Sequence, residues 1–312
     1  MIMENQSSVT QFLLVGFSIS VELQLLLFVV FFSVYFLTVT ANVSIISLVQ
    51  VDTRLHTPMY FFLRHLSFLE IWYTSSIVPK LLANLAGWKY ISLSSCLSQS
   101  YFYFSLGSTE FFLLGVMAID RYLAICNPLR YTSIMNGQVC IQAASACWLV
   151  AFLSVFFLVI LISRLTFCEP AIINHFFCDI PPLLRLSCQE TFLEEIVVFF
   201  FACSIILTSL ILTVFSYVLI ISTIFKIPSK KGRQKAFSTC ASHFTVVSIL
   251  YGTVIFIYVR PSASYPKDVN KILGVFNTVV TPLLNPIIYC LRNKEVKNAL
   301  RKVIKKKRYL LF

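Results

Sequence analysis

The sequence predicts an all-α membrane protein: a seven-helix transmembrane bundle with its amino terminus outside the cell and a short interfacial helix on a cytoplasmic tail. Three observations lead there. Of 312 residues, 58% are hydrophobic and only 12% charged, with a mean hydropathy of +0.84; a soluble domain carries about a quarter charged residues. The apolar residues gather into seven stretches of membrane-spanning length. The 25 Lys and Arg outnumber 13 acids to leave a net charge of +12, and that excess is unevenly shared between alternate loops. Soluble enzymes, nucleic-acid binders and disordered chains are strongly disfavoured by such a composition.

The stretches run roughly over 23–49, 57–79, 97–125, 140–163, 192–225, 237–259 and 270–291. Each is long enough to cross ~30 Å of hydrocarbon at about 1.5 Å per residue. The second is the weakest in hydropathy, because it contains Arg64, His65 and Glu70. Many of these residues are aromatic or β-branched, which in water suggests buried strands, but apolar runs above about 18 residues form helices in lipid. A β-barrel would need segments of about 10 residues alternating in polarity, and none is visible. The longest loop is about 28 residues, too short for a separate domain. Residues 1–312 therefore form one domain: an outer segment 1–22, the bundle 23–291 and a tail 292–312.

Orientation follows from the basic residues. One set of loops and the tail carries 17 of them, among them Lys226, Lys230, Lys231, Arg233 and Lys235, against three acids. The opposite set carries seven against eight. The basic side is cytoplasmic. The chain opens without a basic start before a short apolar run, so no cleavable signal peptide is predicted. Asn5-Gln6-Ser7 is a glycosylation sequon on the outer side. Asn42-Val43-Ser44 matches the same pattern inside the first helix, beyond a transferase's reach.

Cys96, Cys168, Cys178 and Cys188 all fall on the oxidising side, where disulfides persist. Four cysteines allow three pairings, and spacing does not choose among them. Cys126, Cys140, Cys147, Cys203, Cys240 and Cys290 lie in lipid or near the cytoplasm as small apolar fillers. A zinc site in the outer loop is disfavoured, since it lacks a C-x₂-C element and offers only His175.

Glu70 and Glu110 fall near the bilayer midplane, where an acid costs roughly 2.5–3.5 kcal/mol on insertion scales. Both must face the bundle. They are either neutral and hydrogen-bonded, or they hold a monovalent cation such as sodium, with Asn42 and Asn285 as polar neighbours. Arg64, about two turns into the second helix, can snorkel toward the cytoplasm. Pro282 and Pro286 interrupt the ladder of the seventh helix, a static bend or a hinge. Asp120-Arg121-Tyr122 closes the third helix, where an acid beside an arginine can form a pair whose breaking frees a cationic side chain.

Several stretches together resemble one family over nearly the whole chain: LHTPMYFFL at 55–63, MAIDRYLAICNPLRY at 117–131, Ser216-Tyr217, KAFSTCASH at 235–243 and PLLNPIIY at 282–289. They resemble the odorant receptors among rhodopsin-like G-protein-coupled receptors, and 235–243 is the most discriminating. The resemblance implies bridges Cys96–Cys178 and Cys168–Cys188, and matches Glu110 to the family's buried acid on the third helix. Glu70 stands where most members have Asp, Ile119 where Tyr is usual, and Ala41 where Gly is usual. It also implies that Lys235 to His243 moves outward on activation, while Arg121, Tyr217 and Tyr289 rearrange to admit a stimulatory heterotrimeric G protein.

Ser100, Tyr103, Phe104, Gly107 and Ser108 share one face of the third helix by their i, i+3, i+4 spacing. Tyr251, Ile255 and Tyr258 form a stripe on the sixth; Ala202 and Ile206 lie on the fifth and Thr278 on the seventh. Such stripes serve core packing more often than ligands, but the resemblance implies a cavity for a small volatile odorant between these helices. Ser108, Tyr251, Tyr258 and Thr278 would hydrogen-bond an alcohol, carbonyl or ester. The absence of an acid above Glu110 on these stripes argues against amines. The tail's Lys305 to Arg308 follows an amphipathic segment and would pin it to anionic lipid. A transporter is opposed by the odd helix count and the lack of an inverted repeat. A non-olfactory receptor is opposed by the 235–243 stretch. No phosphate-cradling glycine loop or catalytic motif supports an enzyme.

Overall fold

The computed structural model describes residues 9–258, 267–292 and 295–302. Seven long helices follow the seven apolar stretches. They are α1 (Val21–Val51), α2 (Pro58–Leu85), α3 (Leu93–Cys126), α4 (Gly137–Ser163), α5 (Phe192–Lys226) and α6 (Lys230–Tyr258). The seventh, α7, joins Lys267–Val275 and Thr281–Arg292 through a π-helical turn, Phe276–Val280. Most extend past the apolar stretch by several residues, because cap residues rather than lipid end them. Ser20, Ser92 and Asn136 accept from Leu23, Ser95 and Val139 at the starts of α1, α3 and α4. Pro58 opens α2, where its missing N–H costs nothing.

Among the described residues, five spans are apolar and long enough to cross a membrane by composition alone: α1, α3, α4, α5 and Lys271–Ile288 of α7. The other two are long enough but more polar. α2 has 28 residues and carries Arg64, His65, Glu70 and Lys80; α6 opens with the basic segment at 230–235.

The bundle is apolar both on its outer surface and in its core, with a few polar residues buried between the helices. Leu25, Phe32 and Phe36 of α1 and Phe199, Phe200, Ile211 and Phe215 of α5 point outward, each more than half exposed. Asn42, Glu70, Thr74, Glu110 and Asn285 are buried between helices. Hydroxyls close to lipid bond back onto their own helix, as Ser44 does to the Thr40 carbonyl (2.7 Å) and Ser154 to that of Val150 (2.6 Å). That satisfies these two donors where water is absent. α3 is the central member, packing against α2, α4 and α5, while α7 closes the ring against α1 and α6.

A three-stranded sheet covers the end that the charge asymmetry assigns to the outside. Its central strand, β1 (Gln11–Leu14), runs antiparallel to β2 (Tyr90–Ser92) and parallel to β3 (Ile172–Ile173). Phe12 and Leu14 are fully buried beneath it. The strand leaves through Gly16 (φ +63°), where an added Cβ would lie 2.1 Å from Oδ1 of Asn84. Asn84 donates to the Leu14 carbonyl (2.8 Å), and Lys271 of α7 donates to the Gly16 carbonyl (2.7 Å). The amino-terminal segment is thus fastened to α2 and α7. Asn5 and Lys305 to Arg308 lie outside the described residues.

Candidate functional site

Cys96 at the head of α3 is bonded to Cys178, and Cys168 to Cys188 within the 164–191 loop. The first bridge hangs the loop over the bundle, and α3 reinforces it. Ser100 donates to the Cys178 carbonyl (2.7 Å), while Gln99 accepts from the Cys178 N–H (3.0 Å). Ile180, two residues on, is thereby held as the roof of a cavity.

That cavity, about 90 Å³, lies between α3, α5 and α6. Tyr103, Phe104, Gly107 and Ser108 of α3 line it, with Ala202 and Ile206 of α5. Tyr73, Phe111, Phe201, Val254 and Asn277 also line it. Three of the residues on the predicted stripes stand elsewhere. Ser100 spends its hydroxyl on the loop, Tyr251 packs against the Phe111 ring (5.6 Å between centroids), and Thr278 bonds to the Gly274 carbonyl (2.8 Å). The side chains of Ile255 and Tyr258 lie outside the described residues. Val254 lies three residues after Tyr251 and continues its face, and Phe201 sits beside Ala202. Asn277 sits in the π-helical turn, whose i→i+5 bonds shift the face away from a 3.6-residue register. The lining is aromatic and aliphatic, with Ser108, Asn277 and the hydroxyls of Tyr73 and Tyr103 as polar points.

The outer loop also buries His175 against Phe176 and Phe177 (ring centroids 4.6 and 4.4 Å apart). Burial, with the nearby Lys271 cation, lowers the imidazole to about 3, so it stays neutral. Desolvation raises the Asp179 carboxyl to about 6, and its oxygen accepts from the Ile180 N–H (3.0 Å).

Midway down the bundle, Asn285 of α7 donates to Glu70 of α2. Pro286 deprives the Pro282 carbonyl of its i+4 donor, and Asn42 of α1 donates both to that carbonyl (3.5 Å) and to Thr38 (3.0 Å). Glu70 Oε2, Glu110 Oε1 and Asn285 Oδ1 are buried without a hydrogen-bond partner among the described residues. Three acceptor oxygens without donors suit a hard monovalent cation.

At the opposite end, Arg121 is paired with Asp120, its Nε donating at 3.0 Å and its second nitrogen closer still. Tyr131, in the loop after α3, donates to the other oxygen of Asp120 (2.7 Å). Burial and the Asp120 charge push the Tyr131 phenol up, keeping it a donor. Tyr131 belongs to a stretch noted in the sequence, yet nothing in its spacing shows that it returns to Asp120. Tyr217 of α5 is bonded not to Arg121 but to His243 of α6 (2.7 Å), whose other nitrogen meets the Leu114 carbonyl of α3 (3.2 Å). Tyr122 packs against the same α3–α5 cluster. The side chains of Lys235 and Tyr289 lie outside the described residues. Residues 295–302 form a helix whose Val296 and Ala299 are buried against the core, and Tyr60 of α2 donates to Glu295 (2.6 Å).

A small cavity at one end and a buried ion pair at the other, joined through one central helix, suit signalling rather than catalysis; the class is the G-protein-coupled receptors. A profile of the olfactory receptor family matches residues 31–307. Human olfactory receptor 11L1 is 51% identical over 97% of this chain and 95% of its own length. Human olfactory receptor 6F1 is 54% identical over 96% and 97%, and rat olfactory receptor 287 is 52% identical over 97% and 98%. The chain belongs to the olfactory receptor family. It is an odorant receptor, a multi-pass membrane protein of sensory neurons, and not an enzyme.

Proposed function

We propose that this receptor, one seven-helix domain over 1–312 with an outer amino terminus, takes a small volatile odorant into the cavity beneath Ile180. In response it activates a stimulatory G protein that raises cyclic AMP. The observation that carries this is the composition of the cavity wall: aromatic and aliphatic side chains with Ser108, Asn277 and the hydroxyls of Tyr73 and Tyr103 as the polar points. Such a wall suits an alcohol, ketone or ester, for which one or two hydrogen bonds set orientation. About 90 Å³ holds only a few water-sized groups. An odorant of ten or so heavy atoms therefore enters by moving side chains, and it shifts the equilibrium only by binding the expanded form more tightly.

On the cytoplasmic side, Asp120, Arg121 and Tyr122 form the switch, with Tyr217 and His243 as the latch between α5 and α6. Lys235, Asn285, Pro286 and Tyr289 complete the path. Ser100, Tyr251, Ile255, Tyr258 and Thr278 support the binding end from around the cavity. Glu70 and Glu110, with Asn285, would hold a sodium ion, whose single charge would offset one carboxylate in the low-dielectric interior while the other acid stays protonated. The tail's basic run would seat the 295–302 helix on anionic lipid, and Asn5 would carry a glycan.

The test is a chemically diverse odorant panel on surface-expressed receptor, read by cyclic AMP. Ser108→Ala should raise the half-maximal concentration of alcohols and carbonyls about five-fold, the worth of about 1 kcal/mol for one hydrogen bond, and leave hydrocarbons unchanged. Arg121→Ala should reach the surface and fail to signal. Amines as the preferred agonists, or normal signalling by Arg121→Ala, would overturn the assignment.

A further inference from the structure

Two clefts on the outward face of the bundle have no part in the scheme above. The larger, about 850 Å³, runs between α1 and α4 across the outer face of α2. The smaller, about 600 Å³, continues it to the end of the bundle that carries Asp120 and Arg121, walled there by His56, Pro58, Tyr131 and Gly137. Gln50 and Arg64 line both and mark where they join.

The two sides of that junction differ in chemistry. Beyond it the larger cleft is a wall of Phe68, Trp72, Trp148, Phe152 and Phe156. Phe68, Trp72 and Phe156 are each more than 40% exposed, so the wall faces hydrocarbon. From Trp148 to Phe156 alone it extends about 12 Å along α4. At the junction the chemistry is cationic. The Arg64 guanidinium lies 5.4 Å from the centre of the Phe61 ring and takes part in neither ion pair found among the described residues. Asp52, the acid at the end of α1, is already held by Arg54 (2.6 Å) and kept down at about 2 by it.

A cation outside the ion pairs of the described residues, at the mouth of an aromatic, lipid-facing groove, fits one kind of occupant: an amphiphile with an anion at one end and a hydrocarbon chain at the other. We propose that the joined clefts seat a phospholipid of the cytoplasmic leaflet with an anionic headgroup. Its phosphate meets Arg64 near Gln50, and an acyl chain lies along Trp72, Trp148 and Phe156. The cytoplasmic leaflet is the one rich in anionic lipid. The assignment of leaflet rests on the orientation argued above, whereas the binding itself does not.

Two tryptophans in the groove provide the readout. The full-length receptor carrying Trp88→Phe, which removes the exposed indole of the opposite end, is placed in nanodiscs whose leaflets are alike, so orientation does not enter. Phosphatidylserine or phosphatidylcholine with brominated chains is added at equal mole fraction. Brominated phosphatidylserine should quench the groove tryptophans at a several-fold lower mole fraction than brominated phosphatidylcholine. Arg64→Lys should keep most of that preference and Arg64→Gln should abolish it. Gln50→Glu, at an exposed position where folding is not at stake, places a competing carboxylate at the junction and should abolish it too. Equal quenching by the two lipids overturns the proposal. So does a preference that survives Gln50→Glu, or quenching that only a brominated sterol produces.

Discussion

The hydroxyl of Tyr217 lies 2.7 Å from Nδ1 of His243, and the other nitrogen of that ring lies 3.2 Å from the Leu114 carbonyl. One buried imidazole thus ties α6 to both α5 and α3. In the proposed scheme this arrangement, with Asp120 holding Arg121, is the resting form. Any outward movement of α6 must break this tie.

Tyr217→Phe keeps the ring and its contact with Phe244 (5.1 Å between centroids) and removes only the hydroxyl. A buried neutral hydrogen bond is worth about 1 kcal/mol net. If it exists only in the resting form, its loss raises the active fraction roughly five-fold. Cyclic AMP without odorant, normalised to surface receptor, should rise by that order. Unchanged basal signalling would show that the bond is kept in both forms.

The cavity can be blocked from its wall. A Cβ on Gly107 would meet the Tyr73 ring at 3.8 Å, ordinary contact, so Gly107→Ala folds and should bind nearly as before. Gly107→Phe puts a ring into a space of about 90 Å³ and should abolish the response to odorants that activate the unaltered receptor. Surface expression is the control. Equal potency in Gly107→Phe would place the odorant elsewhere.

The outer loop should be acid-sensitive. His175 is neutral in the fold because its value falls from 6.5 to about 3. Between those values the unfolded loop binds the proton first, so stability rises with pH there. The contribution is full above pH 6.5 and is lost progressively as pH falls toward 3. Asp179, raised from 3.8 to about 6, acts in the opposite sense between those values. Replacing the imidazole isolates its share: in His175→Phe only Asp179 still titrates, so amide protection across 165–190, corrected for intrinsic exchange, should fall as pH rises from 3.8 to about 6, where the two groups offset each other in the unaltered receptor. The same slope in both proteins would remove His175 as its cause.

Much of this is legible in the sequence, and what is not has identifiable causes. Seven helices and their order follow from apolar length, since lipid leaves the backbone no other partner. α2 looks weakest because Glu70 is priced as though exposed, whereas Asn285 meets it across 215 residues. The outer sheet could not be anticipated: strands of four, three and two residues, spread between 11 and 173, leave no period to detect. Six predicted cavity residues on α3 and α5 line one space because straight helices keep their spacing. Asn277 escapes the same logic at a π-helical turn, and Tyr131 escapes it because a loop brings it back to Asp120.

The central claim is that filling the outer cavity moves the far end of α6. The direct measurement is the distance between fluorophores carried on unnatural amino acids at Leu129, just beyond α3, and Gln234, near the start of α6, both exposed. Adding an agonist found in the panel should lengthen that distance in the unaltered receptor and leave it unchanged in Gly107→Phe. A receptor that raises cyclic AMP while this distance stays fixed would contradict the account.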